Sequence, residues 1–237
     1  IATGHYAKIR KEDDRYIVSK GLDSNKDQSY VLWGVTQECL KRTIFPMGKY
    51  HKSEIKQMAI DRGYIQLAEK SESYEICFIP DNDYRSFLKR KVKGLEEKVS
   101  GGNFLSTDGK ILGVHKGYPF YTIGQRKLGV SLGPEPAYVI SIDEKSNTVV
   151  VGTKDELKKQ EMYIKNINYQ KYDNIQDGMQ VSVKVRYKHK GEIATITKHD
   201  KYVKVLFHNK VEGVAPGQSA VIYEGEDVIA GGFIVKN

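Results

Sequence analysis

The sequence has little cysteine: only Cys39 and Cys77 occur among its 237 residues. Two cysteines outside any CxxC spacing cannot form a disulfide framework, so a reducing compartment fits them. The six histidines are scattered, and no Cys/His cluster predicts a metal site. No apolar run approaches the roughly 18 residues of a membrane-spanning helix, and IATGHYAKIR lacks the apolar length of a secretory leader. We therefore expect a cytoplasmic protein with no membrane partner.

What the chain has in excess is positive charge. Its 38 Lys and Arg residues outnumber the 30 Asp and Glu residues, which leaves a net charge of +8. Clustered cations release counterions when they bind phosphates, so this balance favours a polyanionic partner such as nucleic acid. A hydrophobic fraction of 39% and a charged fraction of 29% are typical of a globular protein with real cores.

The first hundred residues predict a mixture of strands and helices. ATGHYAKI and RYIVSK flank the charged turn KEDDR and read as two strands. YHKSEIKQMAIDRG has apolar residues at helical spacing, with Glu54 at a capping position and Gly63 as a stop. DNDYRSFLKRKV predicts another helix, which begins at an Asp or Asn cap and ends in basic residues.

The second half of the chain predicts strands. FLSTDGKILGVH reads as a hairpin with an Asp108-Gly109 turn, and YVISIDEKSNTVVVG reads as another. VSVKVRY, GEIATITKH, YVKVLFH, SAVIYEG and VIAGGFIVK then follow as short alternating segments. Such closely spaced strands predict a small closed or nearly closed β-barrel, which leaves few exposed sheet edges.

Cys77 lies in SESYEICFIP and allows two interpretations. Its apolar neighbours Phe78 and Ile79 are typical of a buried cysteine that acts as a small hydrophobe. The acidic and serine-rich approach places the thiol at the end of a polar segment, where partial exposure could make it reactive. Cys39, in TQECLKR, reads as an ordinary helix residue.

Several polar or basic segments could bind RNA. GYPFYTIGQRKLGVSLG sets basic residues between aromatics and glycines, which suits single-stranded RNA. RYKHKG closes a predicted strand and could bind phosphates or form a solvated rim. GHY at residues 4–6 and KDQSY at residues 26–30 could approach a nucleotide or simply end a strand and begin a helix.

These segments, in this order, together with IFPMGKYHKSEIKQMA and APGQSAVIY, make the chain resemble the tRNA-specific 2-thiouridylase family over essentially its whole length. The resemblance implies an α/β remnant of a PP-loop ATP-binding domain with helices, a small β domain and a C-terminal β-barrel. The expected domains are residues 1–83, 84–157 and 158–237.

By this resemblance, the protein would use ATP and Mg²⁺ to adenylate the C2 oxygen of the wobble uridine in tRNA, and would then deliver sulfur to that carbon. Cys77 would carry the persulfide received from a sulfur-relay donor protein, and Gly4 would contact ATP. The residues expected to contact tRNA are His5, Lys26, Asp27, Gln28, Arg186, Tyr187 and Gln218.

The chain lacks the SGGxDS phosphate loop and the second cysteine of that family. We expect both to lie upstream of Ile1 in a longer protein, so this fragment alone should be inactive. Two other functions remain open: a non-catalytic RNA-binding module, and a PP-loop adenylating ligase that acts on a small molecule.

Overall fold

The computed structural model describes residues 1–70, 79 and 83–236. These residues belong to two compact units, of which the first combines Ile1–Lys70 with Lys159–Asn237 and the second falls within Ser71–Lys158. The first seventy residues therefore share a unit with the C-terminal region. The division into three domains at residues 83/84 and 157/158 stays a prediction.

The first unit begins with a β-hairpin and short helices. Its N-terminal elements are β1 (Ala7–Glu12), β2 (Arg15–Lys20), a 3-10 helix (Ser29–Leu32), α1 (Gln37–Lys41), a second 3-10 helix (Pro46–Lys49), α2 (Lys52–Asp61) and α3 (Ile65–Glu69). The two predicted strands pair antiparallel. A parallel bridge joins Ala2 to Ile44, which adds the parallel pairing expected of an α/β region.

Local capping explains the limits of α2. The Glu54 carboxylate accepts a hydrogen bond from the backbone N–H of His51 at 2.6 Å, so the predicted acidic cap is confirmed. After the helix ends, Gly63 adopts φ +81°, a left-handed conformation that favours glycine.

The C-terminal strands close into a barrel. They are β7 (Lys159–Tyr169), β8 (Gln180–Lys184), β9 (Glu192–Lys198), β10 (Val203–Val211), β11 (Ser219–Glu224) and β12 (Asp227–Val235). Their order is β7-β10-β9-β8-β11-β12, and β12 also pairs with β7, which closes the ring. Val183, Val205 and Ile222 are fully buried inside it. The predicted C-terminal barrel is confirmed.

The strand that closes the barrel was not predicted. In β7, Met162 and Ile164 point into the core, but Asn166 has φ +53° and the pairing with β12 shifts between Gly231 and Phe233. This irregularity interrupts the alternation of buried and exposed residues by which a strand is recognised in sequence.

The hairpin is joined to the barrel by pairing and by buried polar groups. Ser19 of β2 pairs with Asp227 of β12. The side chain of Gln170, which is fully buried, accepts from the N–H of Val18 at 3.2 Å and donates to the carbonyl of Leu32 at 3.0 Å. One side chain therefore satisfies backbone groups of both the hairpin and the loop after it.

The second unit is built mainly on two hairpins. Its elements are α4 (Tyr84–Lys91), α5 (Leu95–Val99), β3 (Gly102–Ser106), β4 (Ile111–His115), a 3-10 helix (Tyr118–Phe120), β5 (Tyr138–Asp143), β6 (Thr148–Gly152) and α6 (Lys154–Leu157). The strand order is β4-β3-β6-β5, around a core that includes Phe104 and Val149. Asp83 caps α4 through the N–H groups of Arg85 and Ser86. Both predicted hairpins and the predicted helix are confirmed.

Membrane insertion through a helix finds no support in the part of the chain that the structure describes, since none of its helices combines the length and apolarity needed to span a bilayer.

Candidate nucleic-acid interface

A basic concavity of about 670 Å³ lies where the loop after β2 meets the loop after β8, and we call it the barrel pocket. Residues of both signs line it, among them Lys20, Asp27, Lys184, Tyr187, Lys188, His189, Lys190 and Glu226. Two residues that the family resemblance assigns to tRNA, Asp27 and Tyr187, therefore lie in one pocket although 160 positions separate them in the sequence.

Asp27 organises the loop that forms one wall. One carboxylate oxygen accepts from the backbone N–H groups of Gly21 at 3.0 Å and Ser29 at 3.1 Å. The other accepts from the Ser29 hydroxyl at 2.9 Å. Because the carboxylate is engaged within its own loop, Asp27 shapes the pocket and balances some of its positive charge.

Gln28 links this loop to the GHY segment. Its side-chain oxygen accepts from the N–H of Tyr6 at 3.0 Å, and its own N–H donates to the Tyr6 carbonyl at 2.8 Å. The KDQ and GHY segments, predicted separately as contacts, are therefore adjacent. The contact with Tyr6 also means that the Gln28 amide has a structural role.

Tyr30 connects three of the predicted segments. Its hydroxyl donates to the carbonyl of Ser219, the residue after Gln218, at 2.8 Å. Its ring meets the Tyr187 ring edge-on at 6.2 Å between centroids. Burial raises the pKa of Tyr30 to about 12, which keeps the hydroxyl protonated as a donor. KDQSY, RYK and PGQSA thus meet around one buried phenol.

Lys184 places a cation beside this aromatic cluster. Its ammonium lies 5.9 Å from the ring centroids of both Tyr30 and Tyr223, and the Lys20 ammonium lies 5.3 Å from that of Tyr223. Burial lowers the pKa of Lys184, while the nearby Asp27 carboxylate opposes that shift. Two closely spaced ammonium groups would gain from an added anion.

Sequence reasoning did not assign Lys20 to the site, and it included Tyr30 only as the last residue of the KDQSY segment. For Lys184 the sequence was informative: it lies with Arg186 on the strand face opposite Val183 and Val185, which predicts a phosphate contact or a solvated rim, and both valines are buried in the barrel core. No comparable signal exists for Lys20 or Tyr30, whose relation to β8 and β11 depends on tertiary contacts.

Arg186 and Lys26 are more peripheral. Arg186 is exposed and packs its guanidinium over Gly213, where a β-carbon would come within 3.0 Å of it. Lys26 is half-exposed on the same loop as Asp27, and its N–H donates to the carbonyl of Asp23 at 3.0 Å. Both predicted contacts remain accessible to a large ligand.

Gly4 and His5 lie at the beginning of the hairpin. Gly4 is exposed, and no atom lies within 4 Å of where its β-carbon would be, so a ligand can approach its backbone closely. The His5 Nδ1 lies 2.8 Å from the Thr3 hydroxyl oxygen, and its ring contacts Phe45 edge-on at 5.7 Å. The imidazole is therefore oriented from two sides.

Two further predicted features remain. Cys77 falls outside the described residues. The GQRK loop belongs to the second unit, where the Arg126 guanidinium lies 5.5 Å from the Tyr138 ring centroid. Within residues 1–70, 79 and 83–236, no group of three or more His, Cys, Asp or Glu side chains could hold a metal ion.

Comparison with known proteins gives a consistent picture along the chain. Three consecutive family models match: the tRNA methyl transferase HUP domain at residues 1–81, the tRNA methyl transferase PRC-barrel domain at residues 85–153, and the aminomethyltransferase β-barrel domain at residues 159–234.

Curated relatives match over almost the entire chain. The tRNA-specific 2-thiouridylase MnmA of Cytophaga hutchinsonii is 53% identical over 99% of this chain and 64% of its own length. Those of Amoebophilus asiaticus and Salinibacter ruber are 56% and 51% identical, again over 99% of this chain and over 62% of their own lengths. The chain thus spans less than two thirds of these relatives.

Proposed function

We infer the function of this chain from its family, because the chain belongs to the tRNA-specific 2-thiouridylases. We propose that the protein is a tRNA-uridine 2-sulfurtransferase that replaces the C2 oxygen of the wobble uridine in tRNA by sulfur, in the cytoplasm, where tRNA is available. The observation that carries this proposal is the meeting of the KDQSY, RYK and PGQSA segments around Tyr30.

The first unit would supply many of the residues that bind tRNA. Lys20 and Lys184 flank the Tyr223 ring in the barrel pocket, where a phosphate would relieve their mutual repulsion. The Tyr187 ring is 40% exposed and could stack on a base. His5, Lys26, Arg186 and Gln218 are the further tRNA contacts that we propose from the family resemblance.

Cys77 would carry out the sulfur transfer. Its thiolate would accept a sulfur atom as a persulfide from a donor protein, and the terminal sulfur would then attack C2 of the uridine. AMP would leave with the former C2 oxygen once that oxygen has been adenylated. A second thiol of the whole protein would then attack the Cys77 sulfur, which breaks the S–S bond and leaves the transferred sulfur on C2 as the thiocarbonyl. The disulfide formed between the two cysteines would be reopened by an external thiol reductant. A cysteine suits this step because a persulfide sulfur is a soft, strong nucleophile near neutral pH.

ATP would supply the adenylyl group that makes the uridine oxygen a good leaving group. In this chain, the exposed and unobstructed backbone of Gly4 is compatible with the close approach of a nucleotide. Mg²⁺ would accompany ATP in the whole protein, and we assign none of the described residues to it.

The test uses the full-length protein with ATP, Mg²⁺, a persulfide donor and unmodified tRNA, followed by nucleoside mass spectrometry. We expect an oxygen-to-sulfur shift at the wobble uridine that requires ATP and is lost in Cys77→Ser, while tRNA affinity is unchanged. Cys39→Ser is the matched control, because Cys39 is an exposed residue of a short helix and should not affect the reaction.

Other outcomes identify the alternatives. Tight tRNA binding without thiolation would favour a non-catalytic RNA-binding module, and ATP turnover that needs no tRNA would favour a small-molecule ligase. Added methyl mass would support the methyl transfer that two of the family models name. Thiolation at the normal rate by Cys77→Ser would return this cysteine to a structural role.

A further inference from the structure

A second concavity, of about 1090 Å³, lies between the β1–β2 hairpin and residues 40–50, and we call it the hairpin groove. It belongs to the first unit, and the proposed function does not use it. Its rim carries Lys8, Lys11, Lys41 and Lys49, all of them exposed.

The positive charge of the hairpin groove is largely uncompensated. Among the described residues, none of these four lysines forms an ion pair. The two carboxylates that line the groove are already engaged: Asp227 binds Arg10 and Lys171, and Glu226 binds Lys20 at 3.3 Å. Four lysines without ion pairs around one concavity favour a ligand with several negative charges.

Three aromatic residues also line the groove. Tyr16, Phe45 and Tyr50 are half-buried, and the Lys49 ammonium lies 5.4 Å from the Tyr50 ring centroid. Rings in a positively charged channel are the arrangement that binds single-stranded nucleic acid, because bases stack on the rings while phosphates reach the cations. Duplex RNA would present its phosphates but keep its bases stacked inside the helix.

The groove is continuous with the proposed tRNA site at both ends. At one end, Phe45 contacts the His5 ring. At the other, Glu226 lines both the hairpin groove and the barrel pocket, with Ser19 and Lys20 of β2 on the two sides. The two concavities therefore adjoin at the Lys20–Glu226 ion pair, and a nucleic-acid strand that leaves the barrel pocket would pass over this pair to enter the hairpin groove.

We propose that the hairpin groove binds a single-stranded segment of RNA, with phosphates on Lys8, Lys11 and Lys41 and a base against Tyr50. This inference rests in part on the proposed function, since tRNA is the RNA that the protein would meet. It adds a binding surface distinct from the residues that the family resemblance assigns to tRNA.

The main test compares two triple variants of the full-length protein that remove equal charge. Lys8→Ala/Lys11→Ala/Lys41→Ala alters the groove, whereas Lys159→Ala/Lys201→Ala/Lys210→Ala alters exposed lysines that line neither concavity. We expect the groove variant to bind tRNA and a single-stranded oligoribonucleotide at least about 10-fold more weakly. The slope of the logarithm of the binding constant against the logarithm of the salt concentration should be smaller in magnitude by about two. The control should change affinity by less than about 3-fold.

Tyr50→Leu tests the stacking contact separately. Because a stacked base contributes about 1–3 kcal/mol, which corresponds to at least about 5-fold in affinity, the variant should weaken binding of the single strand by that factor. Binding of a fully paired RNA hairpin should change little. Equal losses for both RNAs would show that only phosphates are recognised and would overturn the single-strand assignment.

Lysine acetylation of the full-length protein separates RNA from a protein occupant. We expect Lys8, Lys11 and Lys41 to react in the free protein and to be protected by the oligoribonucleotide. Protection without RNA would mean that protein covers the groove, which overturns the proposal. If the protein thiolates tRNA but the two triple variants bind RNA equally well, the groove proposal is wrong and the proposed function stands. If RNA binding depends on the groove lysines but no thiolation occurs, the proposed function is wrong and the groove proposal stands.

Discussion

The first unit joins residues that lie far apart in the sequence, whereas the second joins mostly near neighbours. Arg10 and Asp227, which form an ion pair across the first unit, are separated by 217 positions. In the second unit, the side-chain hydrogen bonds of Thr107 with Glu156 and of Asn147 with Val99 each span fewer than 50 positions. The proposed tRNA contacts lie in the unit whose contacts join residues far apart in the sequence.

Half-buried polar side chains help to hold the distant segments of the first unit in place. Gln37 donates to the carbonyl of Gln170 at 3.0 Å, and Asn168 donates to the carbonyl of Trp33 at 2.6 Å. Such contacts are directional and leave costly unsatisfied groups when they break. They therefore specify how the loop of residues 21–37 lies on the barrel, and with it the shape of the barrel pocket.

The largest effect should come from filling a space that only glycine allows in the first unit. A β-carbon on Gly48 would lie 1.8 Å from the carbonyl oxygen of Ala7, so Gly48→Ala should destabilise this unit by about 3 kcal/mol or more. Hydrogen exchange should show the loss in β1 and β2. Gly34→Ala is the control, because no atom lies within 4 Å of its added carbon.

The corresponding change in the second unit is Gly102→Ala, whose β-carbon would lie 2.2 Å from the carbonyl oxygen of Asn147. We expect Gly102→Ala to lower the protection of backbone amides from hydrogen exchange in β3 to β6. If either variant lowered protection equally in both units, the contrast between them would not extend to their stability.

A smaller effect should follow from removing one buried amide of the first unit. Gln170→Ala leaves the N–H of Val18 without its side-chain partner and removes the contact to the Leu32 carbonyl. We expect a loss of about 2–3 kcal/mol in urea unfolding and weaker tRNA binding, since each buried unsatisfied group costs about 1–3 kcal/mol. Gln66→Ala, at an exposed position of α3, should leave both unchanged. Unchanged tRNA affinity in the Gln170 variant would show that the loop keeps its place without this contact.

The smallest effect that we expect is a difference between the two units in how their stability falls at acidic pH. Burial alone would raise the pKa of Asp227, but hydrogen bonds from Arg10, Ser19 and Lys171 outweigh it and hold the value at about 2. The contribution of Asp227, about 2 kcal/mol, is present above its ordinary pKa of 3.8 and is lost as the pH falls toward 2.

In the second unit, burial lowers the pKa of His115 below 6.5. Its contribution is fully present above 6.5 and declines as the pH falls, because the unfolded chain then binds the proton more readily. On acidification, protection in β3 to β6 should weaken first, and His115→Phe should remove that early loss. If acidification lowered hydrogen-exchange protection in both units of the unsubstituted protein at the same pH, this order would be contradicted.

The elements were largely predictable because each depends on neighbouring residues. The Asp83 cap, the turn at Gly109 and the alternation of Val181, Val183 and Val185 act within a few positions, and the structure has a helix, a hairpin and a barrel strand there. β7 escaped prediction because Asn166 adopts a left-handed conformation within the strand. The candidate site was predictable only as separate segments, each assigned by resemblance.

The sequence by itself determined the β-rich second half, the capped helices and the excess of positive charge, because periodicity, capping and composition are local properties of a chain. Tertiary structure decided that the first hairpin joins the barrel, that Tyr30 gathers three distant segments, and that four lysines surround the hairpin groove. These features depend on which side chains meet across up to 217 positions. Pairing, burial and buried hydrogen bonds settle that choice only once the whole unit has folded.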